Sequence, residues 1–319
     1  MERESGKVVL ERAPCPLGCA AGDRLVLRGR DRLHHLPGDF QVVRCRGCGL
    51  MRTDPRPDFE SIGFYYPAEY GPWMQGDRPV LGKAGGIKKV LKSLLWDTRV
   101  ALTPALPPGR LLEIGCGSGA YLDQMAAKGW RVEGIEPSPE AAAKAAARGH
   151  SVRVARLESL SDPGGPFDLV VGWMVLEHLH EPVRALRKLA AWTAPGGVLA
   201  LSVPDAAAAE FRLFGSRWYA LHLPNHLYHF TAPTVTRLLE AAGWRVERIV
   251  SQRFLGNLPG SMAHVFDDLL GRPNPVSNLL LELAGPRAYL LYLTLPLATL
   301  LAAAGQTGRL TLWARKIHP

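Results

Sequence analysis

The chain has 319 residues, 47% of them hydrophobic and 21% charged, enough for a buried core with insertions and unlike a disordered or fibrous composition. Its net charge of +9 favours anionic partners, whether nucleic acid, a nucleotide-linked substrate or an acidic membrane surface. The opening MERESGKVVLER alternates charges and holds no apolar run of signal-peptide length, so a cytoplasmic chain is expected. There the five cysteines are thiols or metal ligands rather than disulfides.

In chain order, Cys15 and Cys19 stand four apart, and Cys45 and Cys48 three apart in the turn-forming CRGCG. Two such pairs suit tetrahedral Zn²⁺ on four thiolates, a closed and therefore structural site. The alternative is a set of reduced surface cysteines. Leu25 to Arg30 and Phe40 to Cys45 read as the short strands of a zinc-ribbon-like module over residues 1–60, with His34 and His35 in the intervening turn as alternate ligands or exposed side chains. Residues 61–104 then supply an aromatic segment, Phe64 to Trp73, and an amphipathic helix. That helix carries Ile87, Val90, Leu91, Leu94 and Leu95 on one face and Lys88, Lys89 and Lys92 on the other. It suits packing on its own domain or lying on a membrane.

From residue 105 the pattern changes. LLEIGCGSG, Leu111 to Gly119, reads as strand, loop and helix start, its glycines letting the backbone turn sharply and approach a ligand closely. Alone, such a turn is a weak signal. A unit of helix, glycine and strand follows and recurs, with Gly129, Gly149 and Gly243 where a left-handed residue ends each helix. Ser138 and Pro139 supply the N-cap and first-turn proline of an Ala-rich helix. Alternating helices and apolar strands predict a doubly wound, mainly parallel α/β sheet. Its ligand belongs outside the carboxyl ends of the strands, where Gly117, Glu136, Leu157 and Trp173 converge.

Glu113 with GCGSG, the acidic Glu136 in IEPS, FDLVVGWMVLEHLHEP at Phe167 to Pro182 and APGGVLALSVP at Ala194 to Pro204 are the residues that carry a family likeness. In these the sequence resembles class I S-adenosylmethionine-dependent methyltransferases, roughly over Arg110 to Arg253. The resemblance implies a seven-stranded Rossmann-like sheet and S-adenosyl-L-methionine as cofactor. It places the cofactor against Glu113, Gly115, Cys116, Gly117, Gly119, Glu136, Pro137, Arg156, Leu157, Trp173 and Met174, with Glu136 on the ribose hydroxyls. One departure matters: Arg156 stands where many relatives have an Asp that contacts adenine. That leaves adenine to backbone groups and the flanks of Leu157 and Met174, with Glu158 a weaker candidate.

The cysteine module and aromatic segment are similar to those of bacterial methyltransferases acting on sugars and other small molecules. In that likeness Tyr65, Tyr66 and Tyr70 are pocket residues, although aromatic anchoring to the core serves as well. HLPNHLYHFTAPTVTRLLEAAGW, His222 to Trp244, resembles a pocket-rim segment of the family. His226, and after it His229, are the candidate bases, since imidazole takes a proton near neutral pH. Either can instead hold the loop by hydrogen bonds. His178 reads as a pocket wall.

A long stretch separates the strand at Trp244 to Val250 from the last one, Arg309 to Lys316, and Ala288 to Gly308 carries no charge. That run has membrane-spanning length, but a single crossing would part the final strand from its sheet. A helical insertion over 257–308 is expected, packed on the domain or in peripheral contact with a membrane. The methyltransferase domain thus covers 105–319. The expected activity is O- or C-methylation of a small-molecule, nucleotide-linked or lipid-linked acceptor. The rivals are a ribosomal-RNA guanine N-methyltransferase with a zinc module, disfavoured because the charge is scattered; a nicotinamide oxidoreductase, disfavoured by the GCGSG spacing; and a non-catalytic zinc and nucleotide binding protein.

Overall fold

A computed structural model of the chain describes residues 8–67, 99–161, 164–285 and 293–317. Tyr70 and most of the expected amphipathic helix lie outside the described residues. Two compact units share the chain, each assembled from three segments. One comprises Met1–Pro67, Pro204–Thr234 and Ser251–Leu310; the other comprises Ala68–Val203, Val235–Val250 and Thr311–Pro319.

Among the described residues the first unit opens with β1 (Leu10–Glu11), β2 (Asp23–Arg30), β3 (Asp39–Cys45), β4 (Met51–Thr53) and β5 (Arg56–Pro57). The second unit follows with β6 (Arg110–Ile114), α1 (Ala120–Ala126), β7 (Arg131–Glu136), α2 (Pro139–Ala147), β8 (Ser151–Val154), β9 (Phe167–Trp173), α3 (Pro182–Trp192) and β10 (Thr193–Pro204). The remainder supplies α4 (Ala209–Phe214), β11 (Tyr228–His229), α5 (Ala232–Ala241), β12 (Trp244–Ser251), α6 (Asn257–Leu270), α7 (Pro275–Ala284), α8 (Leu295–Ala303) and β13 (Arg309–Lys316).

The predicted doubly wound sheet is the frame of the second unit, seven strands in the order β12-β13-β10-β9-β6-β7-β8. Pairings β6–β7, β7–β8, β6–β9 and β9–β10 are parallel. The middle strands are nearly continuous apolar runs because helices cover both faces of such a sheet. Leu111, Leu169, Val171 and Val198 pack with Tyr121, Leu122 and Met125 of α1 in one core. Helix ends follow the sequence signals: Ser138 Oγ accepts the N–H of Ala141 at 3.3 Å, and Gly129, Gly149 and Gly243 take φ of +89°, +90° and +87°. From β6 the chain moves one way to β7 and β8, then returns to β9 and β10 on the other side. The opening between β6 and β9 is therefore a topological switch point.

The first unit draws on segments of the chain well beyond residue 60. Its four-stranded sheet runs β11-β4-β3-β2, antiparallel, with Tyr228 opposite Arg52 and His229 opposite Met51. The cysteine module does not close on itself, because β4 takes its outer neighbour from far along the chain. Buried Arg52 ties the module together, donating to both Asp23 carboxylate oxygens (2.8 and 2.6 Å) and to Ala13 O (2.9 Å). The expected insertion is present as α6, α7 and α8. Asn274 caps α7 through the N–H of Ser277 (2.8 Å), and Ser277 Oγ joins it to Ala263 O of α6 (3.0 Å). No described helix is long and apolar enough to cross a membrane.

Candidate functional site

The turn after β6 has the left-handed geometry its glycines permit: φ is +67°, +53° and +83° at Gly115, Gly117 and Gly119. A Cβ at Gly115 would fall 2.7 Å from Val175 Cγ2, so only glycine lets the loop after β9 approach this closely. The N–H groups of Gly115 and Cys116 both point to Ile135 O (2.8 and 3.2 Å). Cys116 packs over Gly134, leaving no room for a Cβ there, and burial pushes its thiol pKa far up. It fills space under the turn.

Glu136, at the end of β7, is buried and braces that turn. Its Oε2 accepts the N–H of Gly117 (2.8 Å) and its Oε1 that of Ser138 (2.9 Å). Burial raises its pKa against the pull of these two bonds. Each oxygen keeps a further lone pair for a ligand hydroxyl. Pro137 beside it is exposed.

Glu113 is fully buried, yet neither carboxylate oxygen has a hydrogen bond among the described residues. Arg99 Nη1 stands 3.9 Å from Oε1. Burial pushes the carboxyl pKa up to about 8, with Arg99 pulling it down and Glu136 pushing it up. A buried carboxylate without donors is costly unless a cation or donor arrives. Strand alternation puts Glu113 on the face of Leu111, the side carrying Tyr121 and Trp173. Those rings meet edge to face at 5.4 Å. Trp173 Nε1 is also buried without a partner among the described residues. Tyr121 and Arg99 were not anticipated from the sequence, although Tyr121 follows the glycine turn directly. Tyr121 OH meets Thr103 Oγ1 (2.7 Å), and Thr103 Oγ1 donates to Arg99 O (2.8 Å).

Met174 has φ +60°, a strained conformation for a side chain of its size, held by its N–H on Ser202 O (2.9 Å). Beyond β8, Arg156 caps a short 3₁₀ turn, Leu157–Ser159, whose Leu157 is buried. His178 ends another such turn, Leu176–His178, after β9. The second unit thus gathers the glycine turn, Glu113, Glu136, Trp173, Met174 and Leu157 at the carboxyl ends of its strands. A polar cradle with a buried carboxyl there, which a cation would ionise, fits a ligand bearing hydroxyls and a positive charge.

In the first unit Cys15, Cys19, Cys45 and Cys48 come together, their sulfurs all within 4.8 Å of one another. A tetrahedral Zn²⁺ with bonds of about 2.3 Å needs sulfurs roughly 3.8 Å apart. Burial opposes ionisation of Cys45, but N–H groups of Cys48 and Gly47 bonded to its sulfur draw its pKa down to about 7. Cys48 is pushed up to about 12, chiefly by burial. His34 and His35 are not part of the cluster. Tyr65 is a buried anchor: its OH donates to Pro37 O (2.8 Å) and its ring meets Phe40 edge to face.

Both candidate bases also belong to the first unit. His226 Nδ1 lies 2.9 Å from Ala220 O. A carbonyl only accepts, so Nδ1 carries the proton and Nε2 is the basic atom. His229 Nε2 meets Thr53 Oγ1 at 3.3 Å, while that hydroxyl donates to His226 O (2.8 Å). His229 Nε2 is therefore the donor in its pair, and burial drives its pKa down to about 3.

The chain is 35% identical over 142 residues to a ubiquinone biosynthesis O-methyltransferase of Xanthomonas campestris pv. campestris, a match covering 41% of this chain and 59% of that protein. It is 34% identical over 134 residues to the protein of the same name from Xanthomonas oryzae pv. oryzae, covering 39% and 56%. It thus spans under two thirds of the length of either relative. An S-adenosylmethionine dependent methyltransferase structure from Mesorhizobium loti aligns over 72% of this chain and all of that one, with 19% identity and a TM-score of 0.46. The methyltransferase domain family matches residues 90–249, the stretch that holds the glycine turn, Glu136 and the strands on either side of the switch point, and the chain belongs to that family.

Proposed function

We propose that the chain is an S-adenosylmethionine-dependent O-methyltransferase of a small hydroxyl-bearing acceptor, with one structural Zn²⁺. The observation that carries the cofactor reading is the buried carboxyl of Glu113 beneath the glycine turn, which has no hydrogen bond among the described residues and which the cationic end of a ligand would pair with and ionise. Glu136 offers lone pairs to ribose hydroxyls, the glycines admit the ligand's backbone-facing edge, and Leu157 and Met174 flank adenine. When bound, the sulfonium supplies the methyl group. The protein's task is then alignment of acceptor oxygen and methyl carbon, since in-line displacement depends mainly on position.

For a hydroxyl acceptor a base helps, and we assign it to His226 through Nε2. His229 is too weak a base at a pKa of about 3 to take a proton from a hydroxyl near neutral pH. The O-methyltransferase names of the relatives support oxygen as the site of transfer. Four converging thiols, with N–H groups on the Cys45 sulfur, support a closed zinc site that holds the first unit's sheet.

A lipid-linked acceptor is a second reading, favoured by leucines left outside on the insertion. Leu269, Leu293 and Leu300 are 70%, 89% and 70% exposed. Apolar side chains on a helix without charge, such as α8, suit the surface of a bilayer.

The test is transfer of labelled methyl from S-adenosylmethionine to a panel of small phenols and sugars, with ribosomal RNA alongside. Label on an oxygen of a small acceptor is expected. Label on RNA alone, or tighter binding of NAD than of S-adenosylhomocysteine, would overturn the proposal.

A further inference from the structure

Lys188, on α3, reaches back to the turn that follows β8. Its Nζ lies 3.1 Å from Leu157 O, 2.8 Å from Glu158 O and 2.5 Å from Leu160 O. An ammonium has three N–H bonds, and here each has a backbone carbonyl of one short turn to donate to. Within the turn, Ser159 N–H donates to Arg156 O at 3.1 Å and Leu160 N–H to Leu157 O at 3.3 Å. The same turn is gripped a second time, where Glu158 Oε1 accepts the N–H of His180 (3.0 Å). Three residues of the turn, Leu157, Glu158 and Leu160, thus hang on the segment that follows β9 through the lysine, and Glu158 hangs on it also through its side-chain carboxylate.

A solvated or carboxylate-paired lysine would be unremarkable on a helix such as α3. This one lies half-buried along Trp192, its Nζ 5.8 Å from the ring centroid. With Arg156 rather than a carboxylate at the end of β8, the chain lacks a short acceptor side chain to read the amino edge of adenine there. Recognition then falls to the backbone around Leu157, and a backbone reads an edge only if it is held still.

We propose that Lys188 is a positioning residue for the adenine side of the cofactor site, fixing the Leu157–Leu160 backbone through its three carbonyls. The proposal rests on the cofactor reading above. Lys188 touches no ligand and acts through the turn.

The experiment is calorimetric titration of the full chain with S-adenosylhomocysteine and with its inosyl analogue, whose ring edge carries an oxygen and an added N–H in place of the amino group. The wild type should prefer the adenosyl compound. Lys188→Met should weaken S-adenosylhomocysteine about tenfold, the scale of a lost charged hydrogen bond, and shrink the preference by a similar factor. Lys188→Arg, which keeps the donors, should recover most of both. Should Lys188→Met fail to fold, amide exchange at residues 157–160 in Lys188→Gln decides the matter: faster exchange than in the wild type supports the role. Unchanged affinity and preference in a folded variant, or exchange equal to the wild type, would overturn it while leaving the cofactor reading intact. A wild type that binds neither compound would overturn both.

Discussion

Gly117 donates its backbone N–H to Glu136 Oε2 across 2.8 Å. The tightest part of the glycine turn and the carboxylate at the end of the neighbouring strand therefore hold one another before any ligand arrives. Glu136 has two duties, bracing the turn and offering lone pairs outward, and they are separable by substitution.

Glu136→Gln keeps one acceptor but sets an NH₂ against one of two backbone N–H groups. Affinity for S-adenosylhomocysteine should fall by about 1 to 3 kcal/mol, with a lower melting temperature. Titration calorimetry and thermal melts check the two parts. Full affinity in the variant would remove Glu136 from the site.

Glu113 gives stability a pH signature. Its carboxyl titrates near 8 in the folded chain, raised by burial from 4.5. Between those values the folded state holds more protons than the unfolded one, so this contribution is greatest at the acid end and is lost as pH rises toward 8. The span is roughly 5 kcal/mol at most. Chemical denaturation of wild type and Glu113→Gln at several pH values should show the variant gaining on the wild type as pH rises. Parallel curves would mean that Glu113 is ionised throughout.

The four-cysteine cluster predicts one bound zinc per chain. Cys45→Ser should lose most of the metal by elemental analysis and lower the melting temperature, because the site stitches β3 to residues before β2. Chelation should do the same to the wild type. Metal content unaffected by the substitution would dismiss the site.

The two histidines should part company. His229→Gln removes a buried bond to Thr53 and should cost about 1 to 3 kcal/mol of stability with turnover per folded molecule preserved. His226→Gln should lower methyl transfer by about 100-fold or more. Equal losses in both would return His226 to a purely structural part.

The exposed leucines predict sedimentation with vesicles rich in phosphatidylglycerol. Replacing Leu297 and Leu300, both exposed on α8, by Asp should abolish it without altering S-adenosylhomocysteine binding. An intact protein that stays in the supernatant at low salt would leave a soluble acceptor.

What the sequence disclosed follows from how local each signal is. The glycine turn, Glu136 and the capped helix at Ser138 depend on neighbours a few residues away, and each stands where its pattern placed it. The convergence of Cys15, Cys19, Cys45 and Cys48 was legible because each pair is a local signal, two thiols within five residues of one another. Tyr65 and His229 were ambiguous because burial, not residue type, decides between anchor and active group. The pairing of β4 with β11 was not legible because it leaves no mark on either short strand. Lys188 was silent for the same reason: a lysine on a helix face reveals nothing of the carbonyls it will meet.

That pairing of β4 with β11 has a consequence for synthesis. The Thr53 N–H waits for Leu227 O, 174 positions later, before its edge is covered. At translation speeds this is roughly ten to thirty seconds, during which β2, β3 and β4 have left the ribosome with one side of the ladder open. Open ladders recruit other strands. The nascent chain therefore needs its cysteine knuckles, or a chaperone, to guard that edge until β6 to β10 have been made.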